Sequence, residues 1–161
     1  MHAKQKVLLL IYGEGGHRTE MVRLVKQMTS SSSSLLYVSL GSSPLKSGEV
    51  AHYFAPSTRH KYSWIKTFFL LPGIIVTFLN LLRILYKYEV TGAISTGPGL
   101  CVTPMLIMKL IGIKTLYIES FCRIYSRSIS GIIMSRIADR FLVQSEELLS
   151  LYPKAEYSGR L

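Results

Sequence analysis

The stretch KVLLLIYGEGGHRTEM, from Lys6 to Met21, sets the architecture of this 161-residue chain. Lys6 to Tyr12 is an almost continuous apolar run, as a strand buried on both faces requires. From Arg18 to Met28 apolar residues recur at helical spacing, which predicts a helix. The three glycines between them let the backbone turn sharply, and the helix start offers free N–H groups. This turn is typical of a phosphate site, although it would also serve as a helix entry without a ligand.

Strand and helix patterns alternate along the rest of the chain, which predicts an α/β domain with a mostly parallel sheet. The carboxyl ends of parallel strands meet at one edge, where ligands bind, so we expect the polar loops after the strands to converge there. The predicted strands are Leu35–Leu40, Val50–Phe54, Thr91–Thr96, Lys114–Ile118 and Arg140–Val143, and the predicted helices are Leu100–Ile111, Ser128–Ile137 and a short one from Ser145 to Leu151.

The charge of the chain limits the classes of partner. Lysine and arginine outnumber acidic residues by 19 to 9, which gives a formal net charge of +10 and favours a polyanionic partner. The basic residues are dispersed, and the sequence has neither an aromatic-and-basic RNA motif nor a Cys/His spacing typical of zinc. We therefore predict anionic lipid or a diphosphate as the partner and no nucleic acid. Cys101 and Cys122 are expected to be reduced thiols.

A second unusual stretch runs from Trp64 to Tyr88. It carries no charge between Thr67 and Leu82, and its apolar residues would face every side of a helix. The run is shorter than the roughly 20 residues that cross a bilayer. We predict that segment 62–88 is a helix, bent near Pro72, that dips into one leaflet; a buried core helix and a single membrane span remain alternatives. The expected membrane contacts are Lys61, Trp64, Lys66, Phe68, Phe69, Ile75, Leu79, Arg83 and Lys87.

Five blocks of sequence, taken in order, carry a resemblance to one known family. They are GEGGHRTEM, STGPG, YIESFCRIYSRSISG, ADRFLVQSEEL and YPKAEYSG. The family is the membrane-recruiting subunit of the two-part N-acetylglucosaminyltransferase that makes lipid-linked chitobiose in asparagine-linked glycosylation, and it includes PssD-type proteins of bacterial capsule and exopolysaccharide synthesis. The resemblance spans Val7 to Leu161. A more distant similarity joins the first glycine loop and its histidine to the amino-terminal half of MurG-like GT-B glycosyltransferases.

The resemblance implies that the chain is half of an enzyme: one Rossmann-like GT-B acceptor-side domain over residues 1–161. In GT-B transferases the carboxyl-terminal domain mainly holds the nucleotide-sugar, and the amino-terminal domain holds the lipid-linked acceptor. We therefore expect a glycosyltransferase subunit that is inactive without a small donor-binding partner resembling a GT-B carboxyl-terminal half. A UDP-sugar would be the donor and a polyprenyl-diphosphate-linked sugar the acceptor, with no cofactor and no metal ion.

The resemblance also bears on location. Eukaryotic members carry an amino-terminal membrane anchor, and we expect none in this protein. We therefore expect a bacterial polysaccharide protein, held at the cytoplasmic face of the cell membrane by the segment 62–88.

The glycine loop holds the expected catalytic groups. Sugar transfer benefits from a base that takes the proton of the attacking hydroxyl, and histidine titrates near neutral pH. His17 matches the histidine of the MurG-like loop and is the candidate base. Glu20 is a weaker candidate or an orienting partner.

The other expected site residues bind the phosphates and the sugar. Backbone N–H groups of the loop would face a diphosphate. Arg123 and Arg127 would clamp phosphate, unless they belong to a solvated basic loop. Glu119 would bind a sugar hydroxyl or pair with an arginine. The full binding set is Gly13, Gly15, Gly16, Thr19, Gly97, Pro98, Gly99, Glu119, Arg123 and Arg127.

Two other functional classes remain open. A dinucleotide-binding oxidoreductase would use the same first loop, but it also needs an acidic residue after the second strand, where Leu40-Gly41-Ser42 stands. A non-catalytic membrane-surface scaffold would explain the charge and the apolar segment, yet it would not require His17.

Overall fold

The computed structural model describes residues 3–31, 36–45, 48–56 and 72–161. Within these ranges a seven-stranded sheet has the order β3-β2-β1-β4-β5-β6-β7, and every neighbouring pair is parallel. The order 3-2-1-4-5-6 is that of a doubly wound Rossmann sheet, so the predicted fold class is confirmed. The strands are β1 (Lys6–Ile11), β2 (Tyr37–Gly41), β3 (Glu49–Phe54), β4 (Glu89–Ser95), β5 (Lys114–Ile118), β6 (Arg140–Val143) and β7 (Glu156–Tyr157).

Helices cover both faces of this sheet. On one face Met21 of the first helix packs with Leu10 and Tyr12 around β1. On the other face the remaining α-helices build a second core that includes Leu81 and Met105. The buried strands therefore need apolar residues on both sides, which explains their nearly unbroken hydrophobic runs. The α-helices are α1 (Gly16–Ser31), α2 (Pro72–Lys87), α3 (Val102–Leu110) and α4 (Ile129–Ile137).

Most predicted elements are present, with shifted ends. The bounds of β5 and β6 are the predicted ones. Helix α1 begins two residues before Arg18 because Gly15 adopts a left-handed φ of 62°, which ends the turn early. The helix predicted from Leu100 is divided into a 3-10 helix, Gly99–Cys101, and α3. A second 3-10 helix, Glu146–Ser150, stands where the short helix after Ser145 was predicted.

Helix α2 has two different faces. Thr77, Leu81 and Ile84 are buried, as in the core-helix alternative, and Leu81 and Ile84 belong to the core on this face of the sheet. The opposite face of the helix is apolar and exposed: the side chain of Ile75 is 61% exposed and that of Leu79 is 48% exposed. In the described ranges no helix is both long and apolar enough to cross a membrane. The predicted contacts Lys61, Trp64, Lys66, Phe68 and Phe69 lie outside the described residues.

A buried carboxylate lies where α4 meets the end of β5. Glu119 is fully buried, and its Oε1 accepts a hydrogen bond from the Ser120 N–H at 3.1 Å. Its Oε2 is 2.8 Å from the hydroxyls of both Ser128 and Tyr152. Burial, and next the Glu119 carboxylate, raise the pKa of Tyr152, so the phenol stays protonated and donates. The Ser128 hydroxyl also caps α4 by accepting from the Gly131 N–H at 2.8 Å. The carboxylate is thus satisfied within the chain.

Gly131→Ala should destabilise the protein by about 2 kcal/mol, because overpacking and the loss of buried hydrogen bonds each cost that order. The new Cβ would lie 1.9 Å from Glu119 Oε2 and 2.4 Å from the Tyr152 hydroxyl. The measurement is the free energy of unfolding in urea. Gly99→Ala is the matched control, since a Cβ there meets no described atom within 4 Å. Equal stability of the two variants would contradict the packing of Glu119 against α4.

Candidate functional site

His17 lies in the first turn of α1, at the carboxyl edge of the sheet. Its Nδ1 is 2.6 Å from the carbonyl oxygen of Thr96, directly after β4. A carbonyl oxygen only accepts, so Nδ1 of the neutral ring carries the proton and Nε2 is the acceptor. The Thr96 hydroxyl donates back to the His17 carbonyl at 2.8 Å. The side chain is 32% exposed. The structure therefore fixes both the orientation and the tautomer of the ring.

Glu20 joins His17 to two further loops. Its Oε1 accepts from the Phe121 N–H at 2.6 Å, the Ser120 hydroxyl at 3.3 Å and the Gln144 side-chain amide at 3.2 Å. Its Oε2 is 3.6 Å from His17 Nδ1 and has no hydrogen-bond partner among the described residues. The side chain is 1% exposed. This burial fits the orienting role of Glu20 better than that of a base in contact with the substrate.

Three loops meet around His17. A Cβ at Gly13 would lie 3.0 Å from the Pro98 Cβ, and a Cβ at Gly97 would lie 3.4 Å from His17 Cε1. Gly97 also has a φ of 95°, which side-chain-bearing residues rarely adopt. The loop after β5 joins them through its hydrogen bonds to Glu20. The loops after β1, β4 and β5 thus gather at one edge, as expected for parallel strands.

The other predicted binding residues differ from one another in burial and in their contacts. Glu119 is buried, and in the described ranges its carboxylate binds Ser128 and Tyr152 and no arginine, which differs from the expectation for it. Arg123 is half-buried and contacts the hydroxyl of Ser126 at 3.3 Å, whereas Arg127 is exposed. Thr19 is exposed and its hydroxyl donates to a carbonyl of its own helix turn. Among the described residues the two arginines share no contact that would make them a clamp.

Sequence reasoning missed three residues that shape this edge. The backbone carbonyl of Thr96 orients the ring of His17, and no sequence pattern reveals such a contact. Phe121 gives its N–H to Glu20, and an apolar residue in a loop is a weak signal. Gln144 stands directly after β6, in a loop that the strand pattern did bring to this edge. Its amide donates to Glu20 and to the Glu119 carbonyl, and its oxygen accepts from the Leu161 N–H at 2.9 Å.

The end of β2 does not suit a dinucleotide. Gly41 stands where an acidic residue would bind the ribose, and a Cβ there would lie 2.5 Å from the ring of Tyr12. The Tyr12 hydroxyl donates to the Ser43 carbonyl, so the ring is held in that place. Over the part of the chain that the structure covers, no three His, Cys, Asp or Glu side chains are grouped to hold a metal ion.

Solved structures share the fold. MurG of Acinetobacter baumannii superposes with a TM-score of 0.63 at 16% identity, over 98% of this chain and 44% of that one. UGT2 of Phytolacca americana superposes with a TM-score of 0.57 at 10% identity, over 96% of this chain and 50% of that one. The chain therefore spans about half the length of these structures. At such identities the likeness concerns the fold alone.

Relatives at higher identity give the family. UDP-N-acetylglucosamine transferase subunit alg14 of Schizosaccharomyces pombe is 35% identical over 96% of this chain and 83% of its own length. The Candida albicans and human proteins of the same name are 33% and 27% identical. These relatives are eukaryotic and give no support to the expected bacterial origin. The family model described as "Oligosaccharide biosynthesis protein Alg14 like" matches residues 8–161. The resemblance is confirmed, and the chain belongs to the Alg14 family.

Proposed function

We propose that this chain is the acceptor-binding subunit of a two-chain UDP-N-acetylglucosamine transferase acting on a lipid-diphosphate-linked sugar at the cytoplasmic face of a membrane. The observation that carries the proposal is the His17 ring, held by the Thr96 carbonyl at 2.6 Å with Nε2 left as the acceptor. The names of the relatives support the reaction class and describe a subunit. We therefore assign the donor-binding half to a second chain.

In the proposed reaction an acceptor hydroxyl attacks the anomeric carbon of the UDP-sugar, and UDP leaves with the electrons of the broken bond. His17 Nε2 takes the proton of the attacking hydroxyl. The ring then carries a positive charge, and the Glu20 oxygen at 3.6 Å from Nδ1 stabilises it. Glu20 acts as a positioning residue in this scheme, because its other oxygen is engaged by the neighbouring loops.

The glycine loop supplies the phosphate contacts. Gly15 and Gly16 are exposed at the start of α1, where N–H groups without helical partners face outward. The half-buried Arg123 and the exposed Arg127 add positive charge on the loop after β5. We assign the acceptor diphosphate to this edge, with the UDP-sugar as a substrate and not as a resident cofactor.

Helix α2 provides the membrane contact in this proposal. Its apolar outer face includes Ile75 and Leu79, and the exposed Arg83 and Lys87 lie toward its end. An apolar stripe beside basic side chains favours the interface of an anionic bilayer. This face would hold the chain where a polyprenyl-linked acceptor is available.

Mixing the chain with its donor-binding partner tests the function directly. The pair should transfer labelled N-acetylglucosamine from UDP-N-acetylglucosamine to phytanyl-diphosphate-linked N-acetylglucosamine, and the chain alone should transfer none. The measurement is the amount of labelled lipid product with time. Sustained transfer by the chain alone, or no transfer by the pair, would contradict the division of the enzyme into an acceptor-binding and a donor-binding chain.

His17→Ala in the reconstituted pair should lower kcat by roughly two to four orders of magnitude, the usual contribution of general acid–base catalysis. Glu20→Gln should lower kcat by less, about tenfold, since it keeps an oxygen for the Phe121 N–H while removing the charge near the ring. Glu14→Gln is the matched control, because Glu14 is an exposed acid in the same loop. Near-normal transfer by His17→Ala would show that His17 is not the base and would favour the non-catalytic scaffold.

Replacing both Ile75 and Leu79 with serine should weaken binding to anionic vesicles about tenfold, because two exposed apolar side chains no longer enter the interface. High salt should release part of the wild-type protein by screening its basic residues. Flotation with phosphatidylglycerol vesicles measures both effects. Val22→Ser on α1 and Leu149→Ser, each an exposed apolar position away from α2, are the controls. Unchanged flotation of the Ile75/Leu79 double variant would rule out the outer face of α2 as the membrane contact.

A further inference from the structure

Phe121 is an aromatic residue at the edge beside His17. Its side chain is 37% exposed, although a phenylalanine ring gains free energy from burial. Its Cε1 atom lies 3.7 Å from the place where a Cβ at Gly16 would stand, so the ring lies beside the start of α1. Gly16 belongs to the glycine loop, which offers the N–H groups assigned to phosphate.

Two buried carboxylates bind consecutive backbone N–H groups, those of Ser120 and Phe121. The N–H of Phe121 donates to Glu20 at 2.6 Å. The N–H of Ser120 donates to Glu119 at 3.1 Å, and its carbonyl accepts from the Arg123 N–H at 2.9 Å to close a turn. Both carboxylates are almost completely buried. The backbone that carries the Phe121 ring is therefore held in place by hydrogen bonds.

Glu20 also connects the backbone of Phe121 to the proposed base, His17. One of its oxygens binds the Phe121 N–H, and the other is 3.6 Å from His17 Nδ1. The backbone of Phe121 and the imidazole of His17 thus lie next to different oxygens of one buried side chain. A substrate group resting on the ring would keep a constant distance from the base.

We propose that Phe121 is a specificity-determining residue that stacks against the apolar face of the acceptor sugar ring. This inference rests on the proposed function and names the contact that orients the attacking hydroxyl. A sugar ring presents C–H groups on one face and hydroxyls at its rim, so an aromatic ring binds the face and leaves the hydroxyls free. With the diphosphate at the loop N–H groups and the sugar on Phe121, the hydroxyl points to His17 Nε2.

The first test compares kinetic constants of variants in the reconstituted pair. Phe121→Leu should raise KM for phytanyl-diphosphate-linked N-acetylglucosamine about tenfold, which corresponds to the loss of an aromatic contact of about 1.4 kcal/mol, with a smaller change in kcat. KM for UDP-N-acetylglucosamine should not change. Phe121→Tyr keeps the ring and should restore the acceptor KM. Tyr125→Leu is the matched control, since Tyr125 is a 78% exposed aromatic residue in the same loop.

A second test measures binding without turnover. Phe121→Trp in a Trp64→Phe background provides a single tryptophan at the site. Its fluorescence in the assembled pair should change on addition of the sugar-bearing phytanyl diphosphate and not on addition of phytanyl diphosphate alone. Equal responses to the two lipids would mean that the ring meets the lipid, which would overturn the inference.

The outcomes separate the inference from the proposed function. An active wild-type pair whose acceptor KM is unchanged in Phe121→Leu overturns the stacking role alone. A wild-type pair without any transfer overturns both. Unfolding midpoints of all variants should stay within a few degrees of the wild type, so that a change in KM reports contact and not loss of structure.

Discussion

The Glu20 carboxylate is buried between the ends of three strands, and the arrangement of the whole edge depends on it. A buried acidic group is costly unless hydrogen-bond donors surround it. Its donors come from the loops after β5 and β6, while His17 lies on its other side. Moving any one of these loops would leave the carboxylate less satisfied. The same group thus stabilises the junction of the loops and sets the environment of the proposed base.

Close approach of backbones makes this edge compact. Gly13 allows the loop after β1 to touch Pro98, and Gly97 allows the loop after β4 to touch the His17 ring. A side chain at either position would separate the loops and lengthen the bond from His17 to the Thr96 carbonyl. The glycines that first suggested a phosphate site therefore have a second use, since they bring the histidine within reach of the neighbouring strand end.

Helix α2 shows how one apolar sequence serves two purposes. Its inner face packs on the sheet, where the Asn80 side chain also donates to the Phe54 carbonyl at 2.8 Å. Its outer face keeps large apolar side chains exposed beside basic ones. Core packing fixes the helix on the domain, and the exposed face is then a rigid surface. In the proposed function this rigidity holds the site at a defined height above the membrane.

The parallel α/β fold could be predicted from the amino-acid sequence, because buried strands and amphipathic helices leave different periods in the pattern of apolar residues. The sequence also indicated the edge that carries the site, since glycine and polar residues follow the strand ends. It did not predict β7, whose two residues are exposed, and it expected Glu119 to bind a sugar hydroxyl or pair with an arginine. Three-dimensional contacts were needed to show that Glu119 is internal, that Glu20 joins three loops and that Thr96 orients His17. The contact of Thr96 with His17 and those of Glu20 with Phe121 and Gln144 link residues 79 to 124 positions apart, and no local pattern records which distant donor will satisfy a buried carboxylate.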